Sequence, residues 1–131
     1  TPAHGPLRRQ VLQTVALATG GMDKTMAAFF ERHFHSPRCI SKEWEKRCLS
    51  QIDAALDKLE HECGSPWFID AQMTQADVSI GCMISYMKLR LPEVFPANKH
   101  PKLHALSLHC ETRDEFVKAR PSPDETVPSR N

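Results

Sequence analysis

Apolar side chains recur at steps of three and four through the first 34 residues of the chain. They are Leu7, Val11, Val15, Ala18, Met22, Met26 and Phe29. This spacing predicts one helix from about Pro6 to about Phe34, with Pro6 in its first turn. Gly20 and Gly21 lie in its middle, where they predict a bend or a close approach by another backbone or a ligand.

A second apolar stripe follows Ser41, a residue type that favours the N-cap of a helix. Its members are Trp44, Cys48, Ile52, Ala55 or Leu56, Leu59 and Cys63. The stripe stops at Gly64, which we interpret as a left-handed helix terminator. The face predicted to meet water carries Glu45, Lys46, Asp53, Asp57, Lys58 and Glu60. Ser36 and Pro37 break the chain between these two helices, so they should fold back antiparallel.

The third helix has the most specific start signal of the chain, the sequence Thr-Gln-Ala-Asp at residues 74–77. In such a capping box the Thr74 hydroxyl accepts a hydrogen bond from the amide of Asp77, and the Asp77 carboxylate accepts one from the amide of Thr74. Met73 and Val78 occupy the positions of a hydrophobic staple. We therefore interpret Thr74 and Asp77 as a structural capping box rather than as a binding site.

The segment from Val78 to Leu89 is apolar on every side, which is typical of a helix at the buried centre of a bundle. Small Gly81 and Ser85 would allow close helix contact. Arg90 and Pro92 should end this helix.

A fourth helix is predicted from Pro101, and a short amphipathic turn around Phe116 and Val117 follows it. The inner face of the fourth helix would carry Leu103, Leu106 and Cys110. No segment alternates apolar and polar residues for long, so strands are poorly supported. The sequence thus predicts an all-α bundle of about five helices over residues 1–120, followed by a flexible Pro-rich tail over residues 121–131.

Composition and charge exclude several classes of protein. The chain has 131 residues, 40% of them hydrophobic, and a formal net charge of +1. A domain of this length buries roughly 68% of its unfolded surface, and the balanced charge offers no footprint for nucleic acid or an anionic membrane. No apolar stretch is long enough for a bilayer and no signal segment opens the chain, so we expect a cytoplasmic protein. Its start at Thr1, without Met, suggests a segment of a longer protein.

The number and spacing of the cysteines and histidines argue against both a disulfide framework and a metal site. The five cysteines are odd in number and include no Cys-x-x-Cys pair, which indicates reduced thiols. His33, His35 and Cys39 lie within seven residues, and His100 and His104 are four apart. A structural zinc site needs four ligands in two close pairs, and neither cluster has a second pair, so we expect no metal.

Several segments resemble bacterial glutathione S-transferases. The run PWFIDAQMTQADVSIGCMISYMKLRLPEVF, followed by HPKLHAL, resembles the C-terminal helical domain of that family. The segments ALATGGMD and FFERHF are similar to the first helix of that domain. A tryptophan and a Leu-x-x-Leu-Glu pattern of the bacterial enzymes match Trp44, Leu56, Leu59 and Glu60.

The resemblance implies a division of labour between two domains. The thioredoxin-like N-terminal domain, which holds glutathione and activates its thiol in this family, is absent from this chain, so no catalytic residue is expected here. The resemblance implies a pocket for a small hydrophobic electrophile at Met22, Met26, Phe29 and Phe30. Asp23 resembles an aspartate that approaches the amino end of glutathione bound to the neighbouring subunit. Glutathione would be a co-substrate, with no further cofactor.

Each functional interpretation has a structural alternative. The four apolar residues of the expected pocket could be ordinary core, and Asp23 an ordinary solvated acid. The first helix is longer than one small domain can cover, which predicts a homodimer through the first two helices, or a monomer whose stripe the absent domain covers. We expect the full-length parent to be a glutathione transferase and this domain alone to be inactive. The alternative is a non-catalytic helical protein–protein interaction domain with the same fold.

Overall fold

The computed structural model describes residues 1–69 and 71–122, and in these residues the chain forms five α-helices and no strand. The helices are α1 (Gly5–His33), α2 (Lys42–Glu62), α3 (Gln75–Arg90), α4 (Pro101–Glu111) and α5 (Asp114–Lys118). The predicted all-α class is confirmed. Most of the predicted tail, residues 123–131, lies outside the described residues.

Helix α1 packs against both α2 and α3, and α3 also packs against α4. The buried residues of α1 are mostly small: Val11, Thr14, Ala18, Gly21, Thr25, Ala28, Phe29 and Glu31. A Cβ at Gly21 would lie 2.9 Å from Met83 Sδ and 3.7 Å from Ala55 Cβ, whereas one at Gly20 would meet open space. A close approach does occur at Gly21, but side chains of α2 and α3 make it rather than the predicted backbone or ligand. Helix α1 continues as one helix through both glycines.

The buried face of α1 is rotated by about one residue from the predicted stripe, because small and polar residues line it. The predicted members Leu7 and Met26 are 36% and 44% exposed. The Thr14 and Thr25 hydroxyls donate to backbone carbonyls four residues earlier, so they are satisfied inside the helix. A stripe defined by apolar residues alone does not include such buried threonines.

Three predictions for α2 are wrong. Trp44 of the predicted inner stripe is 42% exposed, and the Lys24 ammonium lies 5.4 Å from its ring centroid. Glu45, predicted to face water, is buried because the Arg32 guanidinium pairs with it. Gly64 is not left-handed, since α2 ends in an extended Cys63. A Cβ at Gly64 would lie about 3 Å from two backbone carbonyl oxygens of the following turn, which explains the glycine.

The sequence predicts that α3 is buried on every side, and this prediction is wrong for its outer side. Cys82 is exposed and Leu89 is 43% exposed. Part of this outer side is covered by α5, because a Cβ at Gly81 would lie only 2.7 Å from the Phe116 ring. Gly81 thus allows close contact with a side chain of α5.

Helix α4 begins at the predicted Pro101, and α2 supplies the groups that hold its start. The Glu60 carboxylate accepts hydrogen bonds from the amides of Lys102 at 3.0 Å and Leu103 at 2.9 Å. His100 precedes the helix in a left-handed conformation with φ 55°, and its Nε2 lies 2.8 Å from Asp57 Oδ1. This hydrogen bond lowers the pKa of Asp57. Asp57 and Glu60 of the predicted water-facing side of α2 therefore hold the start of α4, whereas Lys46, Asp53 and Lys58 are exposed as predicted.

Candidate functional site

One side of α1 presents apolar residues to solvent. Asp23, Met26, Phe30 and Phe34 are spaced three or four residues apart, so they share one helix side, which we call the outer α1 face. Their exposed fractions are 44% for Met26, 43% for Phe30 and 54% for Phe34, and Asp23 is also exposed. The rings of Phe30 and Phe34 lie 4.7 Å apart. Phe34 lies outside the predicted pocket, although its spacing of four residues from Phe30 indicates the same helix side.

The other two residues expected in the pocket lie deeper. Phe29 is 4% exposed and its ring stacks on His33 with centroids 4.3 Å apart. It also meets the exposed pair edge-on, at 6.1 Å from Phe30 and 6.2 Å from Phe34. Met22 is half-buried and packs against the core. Phe29 therefore supports the exposed ring pair from beneath, and Met22 packs against the core.

Buried carboxylates fix the end of α1 to the following turn. Glu31 is 5% exposed and accepts a hydrogen bond of 2.6 Å from the amide of Ser41, which lowers the pKa of Glu31. Arg32 pairs with Glu45 and with Glu93, and the bond from Arg32 lowers the pKa of Glu45. These links set the position of the outer α1 face relative to α2.

Arg90, the last residue of α3, lies against the ring of Phe29, which contacts Phe30 and Phe34. Its guanidinium carbon is 5.3 Å from the Phe29 centroid, within the range of a cation–π contact. The side chain is half-buried. One cation from α3 therefore borders the aromatic end of α1.

The start of α3 contains the reciprocal capping box. Asp77 is fully buried, and its carboxylate accepts hydrogen bonds from the amides of Phe68 and Thr74, each at 2.7 Å, and from the Thr74 hydroxyl at 3.0 Å. The Thr74 hydroxyl in turn accepts from the amide of Ala76 at 3.2 Å. Asp77 thus also holds the loop before α3. All these partners belong to the protein itself, as expected for a folding element.

Four of the five thiols in the described residues are poorly suited to nucleophilic chemistry. Burial raises the pKa of Cys63 and of Cys110 to about 11, and it also raises the pKa of Cys48. Partial desolvation raises the pKa of the exposed Cys82. A thiolate, not a thiol, is the reactive species, and such cysteines are almost entirely protonated at neutral pH.

No metal-binding group of three His, Cys, Asp or Glu side chains occurs in residues 1–69 and 71–122. In the same ranges, every helix is too short or too polar to cross a bilayer. Cavities in the described part of the chain include an apolar one of 270 Å³ between α3 and α5, bordered by Val78, Cys82 and Phe116. A more polar one of 550 Å³ lies at Trp44 and Arg47, at the start of α2.

A family model described as "Glutathione S-transferase, C-terminal domain" matches residues 42–107. Comparison with curated proteins finds no match. Among solved structures, the chain is similar to a glutathione S-transferase of Methylobacterium radiotolerans in complex with glutathione sulfonate. The TM-score is 0.87 and the identity 25%, over 99% of this chain and 61% of that one.

Two further solved structures show the same similarity. A glutathione transferase family member of Pseudomonas fluorescens Pf-5, with bound S-(propanoic acid)-glutathione, has a TM-score of 0.85 and 26% identity over 92% of this chain and 61% of that one. A glutathione S-transferase of Methylobacillus flagellatus with glutathione bound shares the fold, with a TM-score of 0.87 at 21% identity over 92% of this chain and 60% of that one. The chain therefore spans less than two thirds of the length of each neighbour.

Proposed function

Because the chain belongs to the glutathione S-transferase C-terminal domain family, we propose that it is the helical half of a cytoplasmic, detoxifying glutathione transferase. A thioredoxin-like N-terminal domain of the full-length protein holds glutathione and activates its thiol. This chain contributes the surface for a small hydrophobic electrophile and the contact of a homodimer. The proposal is supported by solved neighbours that bind glutathione or its derivatives and are longer than this chain.

The outer α1 face is the observation that carries this proposal. Three exposed apolar residues in line on one helix side are costly in water unless a ligand or partner covers them. A flexible thioether and aromatic rings suit a tolerant apolar site, so Met26 and Phe30 contact the electrophile, with Met22 and Phe29 behind them. The Asp23 carboxylate would repel a thiolate, so it contacts the ammonium end of glutathione held by the neighbouring subunit.

The chemistry of thiol activation favours an inactive isolated domain. A free thiol with a pKa of about 8.5 is only a few per cent ionised at neutral pH, so catalysis needs a donor or a positive field fixed beside the sulfur. The cysteines with raised pKa cannot provide this, and the single tyrosine, Tyr86, is half-buried within α3. The activating group therefore belongs to the N-terminal domain.

Turnover of an aryl halide by the full-length protein with glutathione tests the proposal. We expect conjugation by the full-length protein and none by residues 1–131 alone. Phe30→Ala should raise the KM for the aryl halide and leave the KM for glutathione unchanged. Asp23→Ala should raise the KM for glutathione and leave the KM for the aryl halide unchanged. A full-length protein that neither binds nor conjugates glutathione would instead be a helical interaction domain.

The homodimer is tested separately, by sedimentation of the full-length protein at micromolar concentration. We expect a dimer, because α1 has more exposed apolar length than its own bundle covers. A monomer under these conditions would contradict the proposed contact through α1 and α2 and leave the transferase activity untouched.

A further inference from the structure

Arg90 and the exposed Phe30–Phe34 pair are neighbours of the same buried ring. The Arg90 guanidinium carbon lies 5.3 Å from the Phe29 centroid, and the centroids of Phe30 and Phe34 lie 6.1 Å and 6.2 Å from it. A cation from α3 and a pair of exposed aromatic rings from α1 therefore flank the same buried ring. Sequence spacing could not predict this, because the two helices are distant along the chain.

The positive charge of Arg90 is not used within the described part of the chain. Arg32, in the last turn of α1, pairs with Glu45 and Glu93. Glu31, the third carboxylate at this end of α1, is occupied by an amide and a histidine. Arg90 pairs with none of these carboxylates, and its contact in the described residues is with the Phe29 ring. Arg90 is therefore a cation without a carboxylate partner among the described residues, beside the aromatic end of α1.

A half-buried guanidinium beside exposed aromatic rings has a definite ligand preference. The planar fork of arginine binds a carboxylate with two parallel hydrogen bonds, and stacking on Phe29 holds the fork in place. The Phe30–Phe34 pair offers edges and faces on which another aromatic ring can pack. A molecule with an aromatic ring and a carboxylate satisfies both features.

We propose that Arg90 makes the electrophile site selective for aromatic electrophiles that carry a carboxylate. This inference rests on the proposed function, because it specifies the substrate class of the same site. Asp23, at the opposite end of the outer α1 face, repels the carboxylate and so orients it toward Arg90. The aromatic ring of the electrophile then lies over Phe30 and Phe34, with its carboxylate toward Arg90.

The test compares two aryl chlorides, neutral chlorodinitrobenzene and anionic chlorodinitrobenzoate, with the full-length protein and glutathione. In both reactions the glutathione thiolate attacks the ring carbon, a C–S bond forms, the C–Cl bond breaks and chloride leaves. Each kcat/KM is divided by the uncatalysed rate constant of the same substrate, which removes the difference in intrinsic reactivity. We expect the normalised value to be roughly tenfold higher for the anionic substrate, as for one charge-assisted hydrogen-bonded pair.

Substitutions and added salt test whether Arg90 causes the preference for the anionic substrate. Arg90→Gln should abolish it while keeping activity on the neutral substrate, and Arg90→Lys should retain part of it. Arg47→Gln, at an exposed arginine of α2, is the matched control and should keep the full preference. Added salt should weaken the preference of the unmodified protein, which tests the inference even if Arg90→Gln does not fold.

The outcomes separate the inference from the function beneath it. Equal normalised values for both substrates would overturn the role of Arg90 and leave the transferase assignment standing. A higher KM for glutathione in Arg90→Gln, with the electrophile preference unchanged, would also overturn it, because Arg90 would then bind glutathione. Conjugation of neither substrate would overturn the proposed function, and with it this inference.

Discussion

The start of α3 and the end of α1 distribute polar and apolar groups in opposite ways. At the start of α3 a carboxylate, Asp77, is fully buried and accepts hydrogen bonds from three donors. At the end of α1, Met26, Phe30 and Phe34 face solvent. Burial of a charge is tolerated only where the protein satisfies it, and an exposed apolar surface persists only where something else covers it.

This contrast separates a folding element from a binding surface. Every partner of the Asp77 carboxylate in the described residues belongs to the chain, which fits a folding element. The apolar side chains of the outer α1 face have no such internal cover, and Arg90, which has no carboxylate partner among the described residues, lies against the Phe29 ring beneath it. Substitutions in the first region should therefore change stability, and substitutions in the second should change binding.

Adjacent phenylalanines give the largest expected difference. Phe29→Ala removes a buried ring and should lower the free energy of unfolding by about 3–5 kcal/mol. Phe30→Ala, one residue later and exposed, should change it by less than about 1 kcal/mol. Urea unfolding of both variants measures this, and equal losses would mean that Phe30 is as much a core residue as Phe29.

Two aspartates give the next comparison. Asp77→Ala should lower the free energy of unfolding by about 2–4 kcal/mol, because a cap is lost and the buried amide of Phe68 is left without its acceptor. Asp23→Ala, the matched exposed control, should stay within about 0.5 kcal/mol. If thermal melts of Asp77→Ala and the unmodified protein coincide, the capping box does not hold α3.

Two neighbouring glycines compare the two sides of α1. Gly20→Ala gains helix propensity in open space and should stabilise the protein by about 0.5–1 kcal/mol. Gly21→Ala gains the same helix propensity but must displace buried Met83. Its free energy of unfolding should therefore be lower than that of Gly20→Ala by at least about 1 kcal/mol. Equal free energies of unfolding for the two variants in urea would show that the contact between α1 and α3 can accommodate an extra methyl group.

The smallest expected effect is on pH dependence. The pKa of Glu45 is lowered in the folded state by Arg32, so its contribution to stability is present above the unfolded pKa of about 4.3 and is lost as the pH falls through the folded value. The stability difference between the unmodified protein and Glu45→Gln should therefore shrink from about pH 7 to about pH 3. Glu43→Gln, at an exposed glutamate of the same turn, is the control. A pH-independent difference at Glu45 would exclude this linkage.

The sequence predicts the helices well because their signals are local. Pro6, the Thr74–Asp77 box and Pro101 lie within a few residues of the ends that they set. The face of α1 is predicted less well, because two helices share it and its contact line uses glycine and threonine. The resemblance leads to the region of Met26 and Phe30, yet it gives no indication of Arg90.

Long-range polar contacts explain the remaining errors. Glu45 carries the same charge as its exposed neighbours, and only the position of Arg32 on another helix makes it a buried residue. Glu60 similarly fits a solvent-facing pattern until α4 docks against it. Neither pairing has a spacing rule, since each depends on how two helices meet in space.

The cap that Glu60 places on α4 has a consequence for the order of folding. Helix α4 has no side-chain cap from its own preceding residue, and the carboxylate at its start comes from a residue 42 and 43 positions earlier. A short helix without a local cap is marginal alone, so α4 should become stable only after α2 has formed and docked. Native-state hydrogen exchange should then find the amides of Lys102 and Leu103 opening in one cooperative unit with α2.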